Sequence, residues 1–416
     1  MRFLLAAILV PLVLVAGFLA YALSPREIEA IAPPARVSFS PVAIERGQRL
    51  ALLGNCNVCH TAEGGRPYSG GYGVETPFGT IYGTNITPEP ETGIGAWSLE
   101  AFDRSMREGI DREGRHLYPA FPYDHFTKIS DGDVAALYAF LMTREPVREA
   151  ARANDLPFPL RFRPLLAGWK LLAFREGRFE PDAAADAEVD YGRYLVEGLG
   201  HCGACHTPRN LIQAERRDAA LRGGVSAGWT APAIAGEAAA AVPWTQASLE
   251  TYLSDGFDPD HGAGAGPMQP VGVNLARTPS EDARAVAAYL MTVLQPRPAL
   301  PPPLADPAAD PATIALFEGA CLFCHDGAAS GGARGVTLDR STAVQAEDAT
   351  NLVNFLFHGR QPAAGSAGSH MPGFAAALTN DQAEALVAYV RARYSGLPPF
   401  PDTAEAVRAA RRASAP

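Results

Sequence analysis

Cysteine occurs six times in this 416-residue chain, and every copy belongs to one pattern. The three segments are Cys56-Asn-Val-Cys59-His60, Cys202-Gly-Ala-Cys205-His206 and Cys321-Leu-Phe-Cys324-His325. Two thiols one helical turn apart reach both vinyl groups of a single porphyrin, and the next residue points its imidazole at the iron. Zinc would need two cysteine pairs converging on one ion, and three pairs do not divide that way. A redox dithiol does not need histidine at the next position three times over. An even cysteine count in an exported protein permits disulfides, but not with this uniform spacing. The pattern therefore predicts three covalently bound haem c groups. Cys56, Cys59, Cys202, Cys205, Cys321 and Cys324 would form the thioethers, with His60, His206 and His325 as proximal iron ligands.

The rest of the chain repeats around these signatures. Each copy opens with a short helical stretch: Glu45 to Leu50, Asp190 to Leu195, and Thr313 to Phe317. Each closes with a helix bearing an apolar and aromatic stripe: Asp133 to Thr143, Glu281 to Thr292, and Gln382 to Arg393. Capping pairs precede all three, Ser130 with Asp133, Thr278 with Glu281 and Thr379 with Gln382. A middle helix is expected to stop at Gly109, Gly256 and Gly359. Proline-rich stretches separate the copies, and Gln295 to Pro311 reads as a semi-rigid spacer. The expected organisation is residues 1–24 as anchor or signal peptide, 36–150 as a first haem domain and 151–184 as linker. A second haem domain follows at 185–297, a Pro-rich linker at 298–310, a third haem domain at 311–400 and a loosely helical or disordered tail at 401–416.

Nearly half the residues are apolar, so real cores are available, and 40 glycines with 36 prolines favour compact, loop-rich domains. A net charge of −10 argues against nucleic acid. The N-terminus reads Arg2, then an uncharged apolar run from Phe3 to Leu23, long enough to span a bilayer. Arg2 would keep the N-terminus in the cytoplasm and export the bulk. That places the haem domains on the periplasmic face of the inner membrane. Ala20-Tyr21-Ala22 supports the competing reading of a cleaved signal peptide.

An electron-transfer haem fills its far side with Met or His, expected in the loop before each closing helix. Gly266-Pro-Met268-Gln-Pro270 and Ser369-His370-Met371-Pro-Gly373 offer Met268 and Met371. A lone Met flanked by Pro and Gly in a polar loop is unlike core filler. His370 competes with Met371. In the first copy the loop runs Leu117-Tyr-Pro-Ala-Phe121-Pro-Tyr-Asp124-His125-Phe126, and Phe121 stands where methionine is expected. His125 is the reading chosen there. Met106 is the alternative, although it matches core leucines, Leu253 and Leu356, in the other copies. His116 is expected to be exposed, and an open site is the remaining possibility. Two histidines on haem one would make its potential the lowest of the three.

Other residues read blandly. His201 is expected at the surface or a haem edge, His261 and His358 at the polar surface, and Trp97, Trp229 and Trp244 in pocket walls or core. Thr84-Asn85 could bind haem propionates. The segment Pro164 to Phe174, with Trp169 and Lys170, reads equally as a membrane-surface helix, a partner patch or a buried helix.

Three such signatures after one apolar run resemble the three-haem cytochrome subunits of bacterial membrane-bound dehydrogenases, the alcohol and gluconate dehydrogenase cytochrome family. Thr76-Pro-Phe-Gly-Thr-Ile-Tyr-Gly-Thr-Asn-Ile-Thr-Pro88 and Tyr118-Pro-Ala-Phe-Pro-Tyr123 carry the likeness. Phe121 with Asp124-His125-Phe126 resembles the subgroup paired with molybdenum hydroxylases such as nicotinate, isoquinoline or aldehyde dehydrogenase. The implied fold is all-α, three tandem class I cytochrome c-like domains after one transmembrane helix. The implied partner holds molybdopterin and iron–sulfur clusters, and electrons would leave to ubiquinone or a terminal oxidase. The sequence holds no second catalytic constellation, so electron transfer without bond-making chemistry is the reading. The alternatives are a haem enzyme such as a peroxidase, or a cytochrome serving a flavin or quinoprotein dehydrogenase.

Overall fold

The computed structural model describes residues 2–237, 240–296, 301–302, 307–325, 336–361 and 370–414, with side chains from Leu12 onward. The chain divides into two compact units. One comprises residues 1–182, 194–201 and 211–214, the other 183–193, 202–210 and 215–416.

The first unit contains α1 (Arg2–Ala22), α2 (Pro41–Leu53), α3 (Cys56–Cys59), a hairpin of β1 (Gly73–Thr76) with β2 (Gly79–Tyr82), α4 (Leu99–Glu108), α5 (Tyr123–Phe126), α6 (Asp131–Met142) and α7 (Leu165–Ala173). Ser40, Ser98 and Ser130 each accept a hydrogen bond from the backbone N–H three residues on, capping α2, α4 and α6. Its core forms where α2 crosses α6. The contact is backbone-close: a Cβ added at Gly47 would collide with the Ala136 carbonyl oxygen. Leu50, Ala51 and Leu53 of α2 are buried, as are Val134, Leu137, Phe140 and Leu141 of α6. Phe102 of α4 closes over Tyr138 at 5.7 Å between ring centres.

The second unit takes the first part of α8 (Ala187–Glu197), then α9 (Gly203–His206), β3 (Arg222–Ser226), β4 (Trp229–Ala233), β5 (Gly236–Glu237), α10 (Gln246–Asp255), β6 (Phe257–Asp258), β7 (Gly262–Ala263), α11 (Gln269–Leu275), α12 (Ser280–Val293) and β8 (Leu294–Gln295). It continues with α13 (Pro311–Ala320), α14 (Leu322–His325), α15 (Thr350–His358), α16 (Asn380–Tyr394) and α17 (Thr403–Ala413). The crossing recurs, since a Cβ at Gly192 of α8 would collide with the Ala285 carbonyl oxygen of α12. Tyr191 donates to Asp282 at 2.8 Å, as Arg46 donates to Asp133 at 2.5 Å in the first unit. Phe317 of α13 is fully buried and meets Tyr389 of α16 edge-on at 5.3 Å.

Two expectations about the fold need correction. It is not purely helical: β1 pairs β2, β3 pairs β4 and β6 pairs β7, all antiparallel, while β5 pairs β8 in parallel. The glycine-rich inserts after the signatures supply the turns. Ala227 and Gly228 both adopt positive φ, the conformation of a tight two-residue hairpin turn. Nor does the transmembrane helix hold. Among the described residues no helix is long and apolar enough to cross a membrane. The helix α1 also docks on its own unit: Phe18 lies against Gly168 of α7, and the Ala22 carbonyl meets His116 Nε2 at 3.1 Å. The expected anchoring in the inner membrane rested on that helix and is not supported.

The three middle helices do end where glycine was expected, with Gly109, Gly256 and Gly359 at φ between 62 and 66°. Thr379 and Gln382 form the expected capping box on α16. Thr278 does not cap α12, because Pro279 occupies the cap position and the Thr278 hydroxyl turns back to the Leu275 carbonyl. The tail is ordered as α17, its Val407 fully buried and Arg411 donating to the Leu378 carbonyl at 2.7 Å. Residues 298–300 and 303–306 of the expected Pro-rich linker lie outside the described residues.

Candidate haem sites

Each signature folds as one helical turn ending at its histidine. In all three the histidine Nδ1 is held by a backbone carbonyl: Thr84 for His60 at 2.6 Å, Pro232 for His206 at 2.7 Å and Val336 for His325 at 2.9 Å. A carbonyl only accepts, so Nδ1 carries the proton and Nε2 keeps its lone pair for a metal. Burial lowers the pKa of His60 and His206, against the opposing pull of those carbonyls, and so favours the neutral ring that ligates iron. Glycine makes two of these arrangements possible. A Cβ at Gly83 would strike the Cys59 carbonyl oxygen, and one at Gly224 the Cys205 carbonyl oxygen. The chain after each of these two signatures therefore folds flush against the second cysteine. Nothing in the sequence marks either glycine for this role, and a backbone acceptor leaves no residue-type signature.

No two of the six cysteines form a disulfide. Burial pushes Cys56 and Cys202 up to about 12, with Cys59 and Cys205 beside them adding to the rise. Thiols so placed are unlike those of a reactive redox dithiol, which sits in an electropositive setting. The donor set thus fits haem c: two thiols one turn apart and one fixed neutral imidazole.

Of the residues expected on the far side, Met268 ends the turn Gly266–Met268 and is half-buried, with its Cγ 3.6 Å from a Cβ position at Gly264. Trp229 packs against Gly266, leaving no room for a side chain there. Met371 is half-buried and exchanges both backbone hydrogen bonds with Arg360 at 2.9 Å, while His370 is exposed. In the first copy His125 is buried on α5 with Nδ1 2.9 Å from the Glu197 carbonyl. Met106 is 5% exposed on α4, and its counterparts Leu253 and Leu356 are equally buried. Phe121 stacks edge-on with Phe126 at 5.3 Å.

Several lesser expectations change. His116 is 6% exposed, not at the surface, because its ring is enclosed against the Ala22 carbonyl. His261 is 2% exposed, bonded to Asp258 at 2.6 Å and stacked on Trp244 at 3.5 Å. The Asn85 amide is spent on Thr92 and the Val147 carbonyl. Lys170 is buried and donates to the Glu108 and Gly109 carbonyls at 2.5 and 2.8 Å, capping α4.

The family model for cytochrome c matches residues 44–145 and 314–393. The chain is 44% identical over 387 residues to a nicotinate dehydrogenase subunit of Pseudomonas putida, covering 91% of this chain and 33% of that protein. It is 35% identical over 402 residues to the cytochrome c subunit of the quinone alcohol dehydrogenase of Gluconacetobacter polyoxogenes, covering 90% of this chain and 85% of that one. The chain belongs to the cytochrome c subunits of dehydrogenases. The gluconate 2-dehydrogenase cytochrome c subunit of Pantoea cypripedii is 41% identical over 262 residues, 60% of this chain and 59% of its own. As a dehydrogenase cytochrome c subunit, the chain carries covalently bound haem c and takes electrons from a dehydrogenase partner. It spans only a third of the length of the nicotinate dehydrogenase relative.

Proposed function

We propose that this cytochrome subunit holds three haem c groups and relays single electrons from a molybdopterin and iron–sulfur hydroxylase to ubiquinone or a terminal oxidase. The carrying observation is the imidazole geometry repeated at His60, His206 and His325, each ring locked on a carbonyl through Nδ1. Each bound haem supplies a one-electron iron couple. The carbonyls of Thr84, Pro232 and Val336 would orient the proximal rings. Met268 and Met371 would hold the far side of the second and third sites, and a thioether there would raise the potential relative to a second imidazole. His125, on α5 before α6, would be the far-side ligand of the first site.

The partner class rests on two features. One is the 44% identity to the nicotinate dehydrogenase relative across 91% of this chain. The other is the Phe121 to Phe126 segment, whose likeness to the hydroxylase-paired subgroup implies molybdenum and iron–sulfur centres in the partner.

Tagged purification with metal analysis tests the pairing. Stoichiometric molybdenum with a hydroxylase subunit supports it, while a flavin or quinoprotein dehydrogenase in its place overturns the partner class and leaves electron relay intact. Haem staining with iron determination checks the count. His125→Ala should convert the first site to an open, cyanide-binding haem. An unchanged spectrum and unchanged potentials would remove His125 from the ligand set.

A further inference from the structure

The first residue after the glycine that stops the middle helix has the same place in all three copies. It is Ile110 in the first, Phe257 in the second and Arg360 in the third. Each forms a backbone bridge with the loop that follows: Ile110 with His116, Phe257 with Ala263, Arg360 with Met371. Two of the three are apolar, so the fold does not require a charge there. Arg360 is nevertheless 6% exposed. Its guanidinium reaches out of its own copy and donates to the Gly264 carbonyl at 3.2 Å and the Gly256 carbonyl at 3.1 Å. Gly264 is the residue whose Cβ position lies 3.6 Å from Met268 Cγ. One buried cation is thus tied by its backbone to Met371 and by its side chain to the loop of Met268.

We propose that Arg360 is a positioning residue that sets the potentials of the second and third haems together. This rests on reading Met268 and Met371 as iron ligands. A fixed positive charge disfavours the oxidised iron, which carries one more positive charge than the reduced iron. It acts more strongly inside protein than in water. The carbonyl dipoles of Gly256 and Gly264 solvate the guanidinium and hold it in place between the two methionine loops. The two haems nearest it are held more oxidising than their ligands alone would make them.

Potentiometric titration of the full-length holoprotein, with haems resolved spectroscopically, tests this. Arg360→Gln keeps hydrogen-bond donors and removes the charge. It should lower two potentials, each by a tenfold or greater change in the reduced-to-oxidised ratio, about 59 mV for a one-electron couple, and leave the third in place. Arg360→Lys keeps the charge and should hold both near their original values. Unchanged potentials in Arg360→Gln overturn the proposal, and so does a fall in Arg360→Lys matching that in Arg360→Gln. If Arg360→Gln does not fold, Arg360→Lys decides alone: potentials held within a factor of two support the proposal, and a tenfold fall sinks it. The ligand reading is judged separately, by the methionine-to-iron charge-transfer absorption in Met268→Ala and Met371→Ala. If neither change weakens that absorption, the ligation fails whatever Arg360 does.

Discussion

Gly47 sits directly over the Ala136 carbonyl, with no space for a Cβ between two helices that lie far apart in sequence. Gly192 sits the same way over Ala285. Because the obstacle is backbone, relief requires moving a helix. Gly47→Ala and Gly192→Ala should each destabilise by about 1–3 kcal/mol or more, read as a lower denaturant midpoint. Gly132, on α6 with nothing near its Cβ position, is the control. Gly132→Ala should be neutral or stabilising by about 0.5 kcal/mol.

Lys170 predicts a pH dependence. Burial lowers its ammonium from the ordinary 10.5 to about 7, outweighing the attraction of Glu108. Below pH 7 both folded and unfolded chains hold the proton, and the burial penalty is fully expressed. Between about 7 and 10.5 the unfolded chain holds more protons, so stability rises with pH. Thermal unfolding of wild type should shift upward from about pH 6.5 to 9 relative to Lys170→Met. Parallel pH profiles for the two proteins would contradict the assignment.

Gly83 and Gly224 allow the chain to lie against the second cysteine of the first two signatures. Gly224→Val should push the hairpin off the Cys205 carbonyl and loosen the carbonyl clamp on His206. The thioethers would keep that haem attached, but its low-spin spectrum should give way to high spin at one site only. A spectrum identical to wild type would show that the close approach does not hold the ring.

Val407 on α17 is fully buried. Val407→Ala should cost roughly 1.5–2.5 kcal/mol. Deleting residues 403–416 should do more, exposing surface on α15 and α16, which α17 covers. Proteolysis rates of the α15 and α16 region would report it.

What could be read in advance followed from local rules. Ser130 and Thr379 cap their helices because hydroxyl and first-turn N–H groups are neighbours in the chain. Gly109, Gly256 and Gly359 stop helices because only glycine enters the left-handed region freely. The signatures carry their own chemistry in five residues. The misses have another physical origin. His116 and His261 are buried by partners far away in sequence or by a stacked indole, and one histidine has no period to reveal this. Thr278 has the composition of a cap, but Pro279 shifts the helix start by one residue. The hairpin strands are two to five residues long, too short for an alternating pattern to emerge. Arg360 resembles any surface arginine in sequence, since its meaning comes from carbonyls about a hundred residues earlier. The apolar run at the N-terminus obeys a composition rule for membrane helices, yet its described part is engaged by α7 and His116.

Neither compact unit is a continuous stretch of chain. Residues 194–201 and 211–214 count with the first unit, while the second signature, starting at Cys202, counts with the other. Tyr194 is why this matters: its hydroxyl donates to Asp133 at 2.6 Å and accepts from the Ser130 N–H at 3.0 Å. A gene exchange that replaced everything up to Asp182 would part Asp133 and Ser130 from the tyrosine they evolved beside. Recombination among such subunits should therefore disfavour a crossover at Asp182.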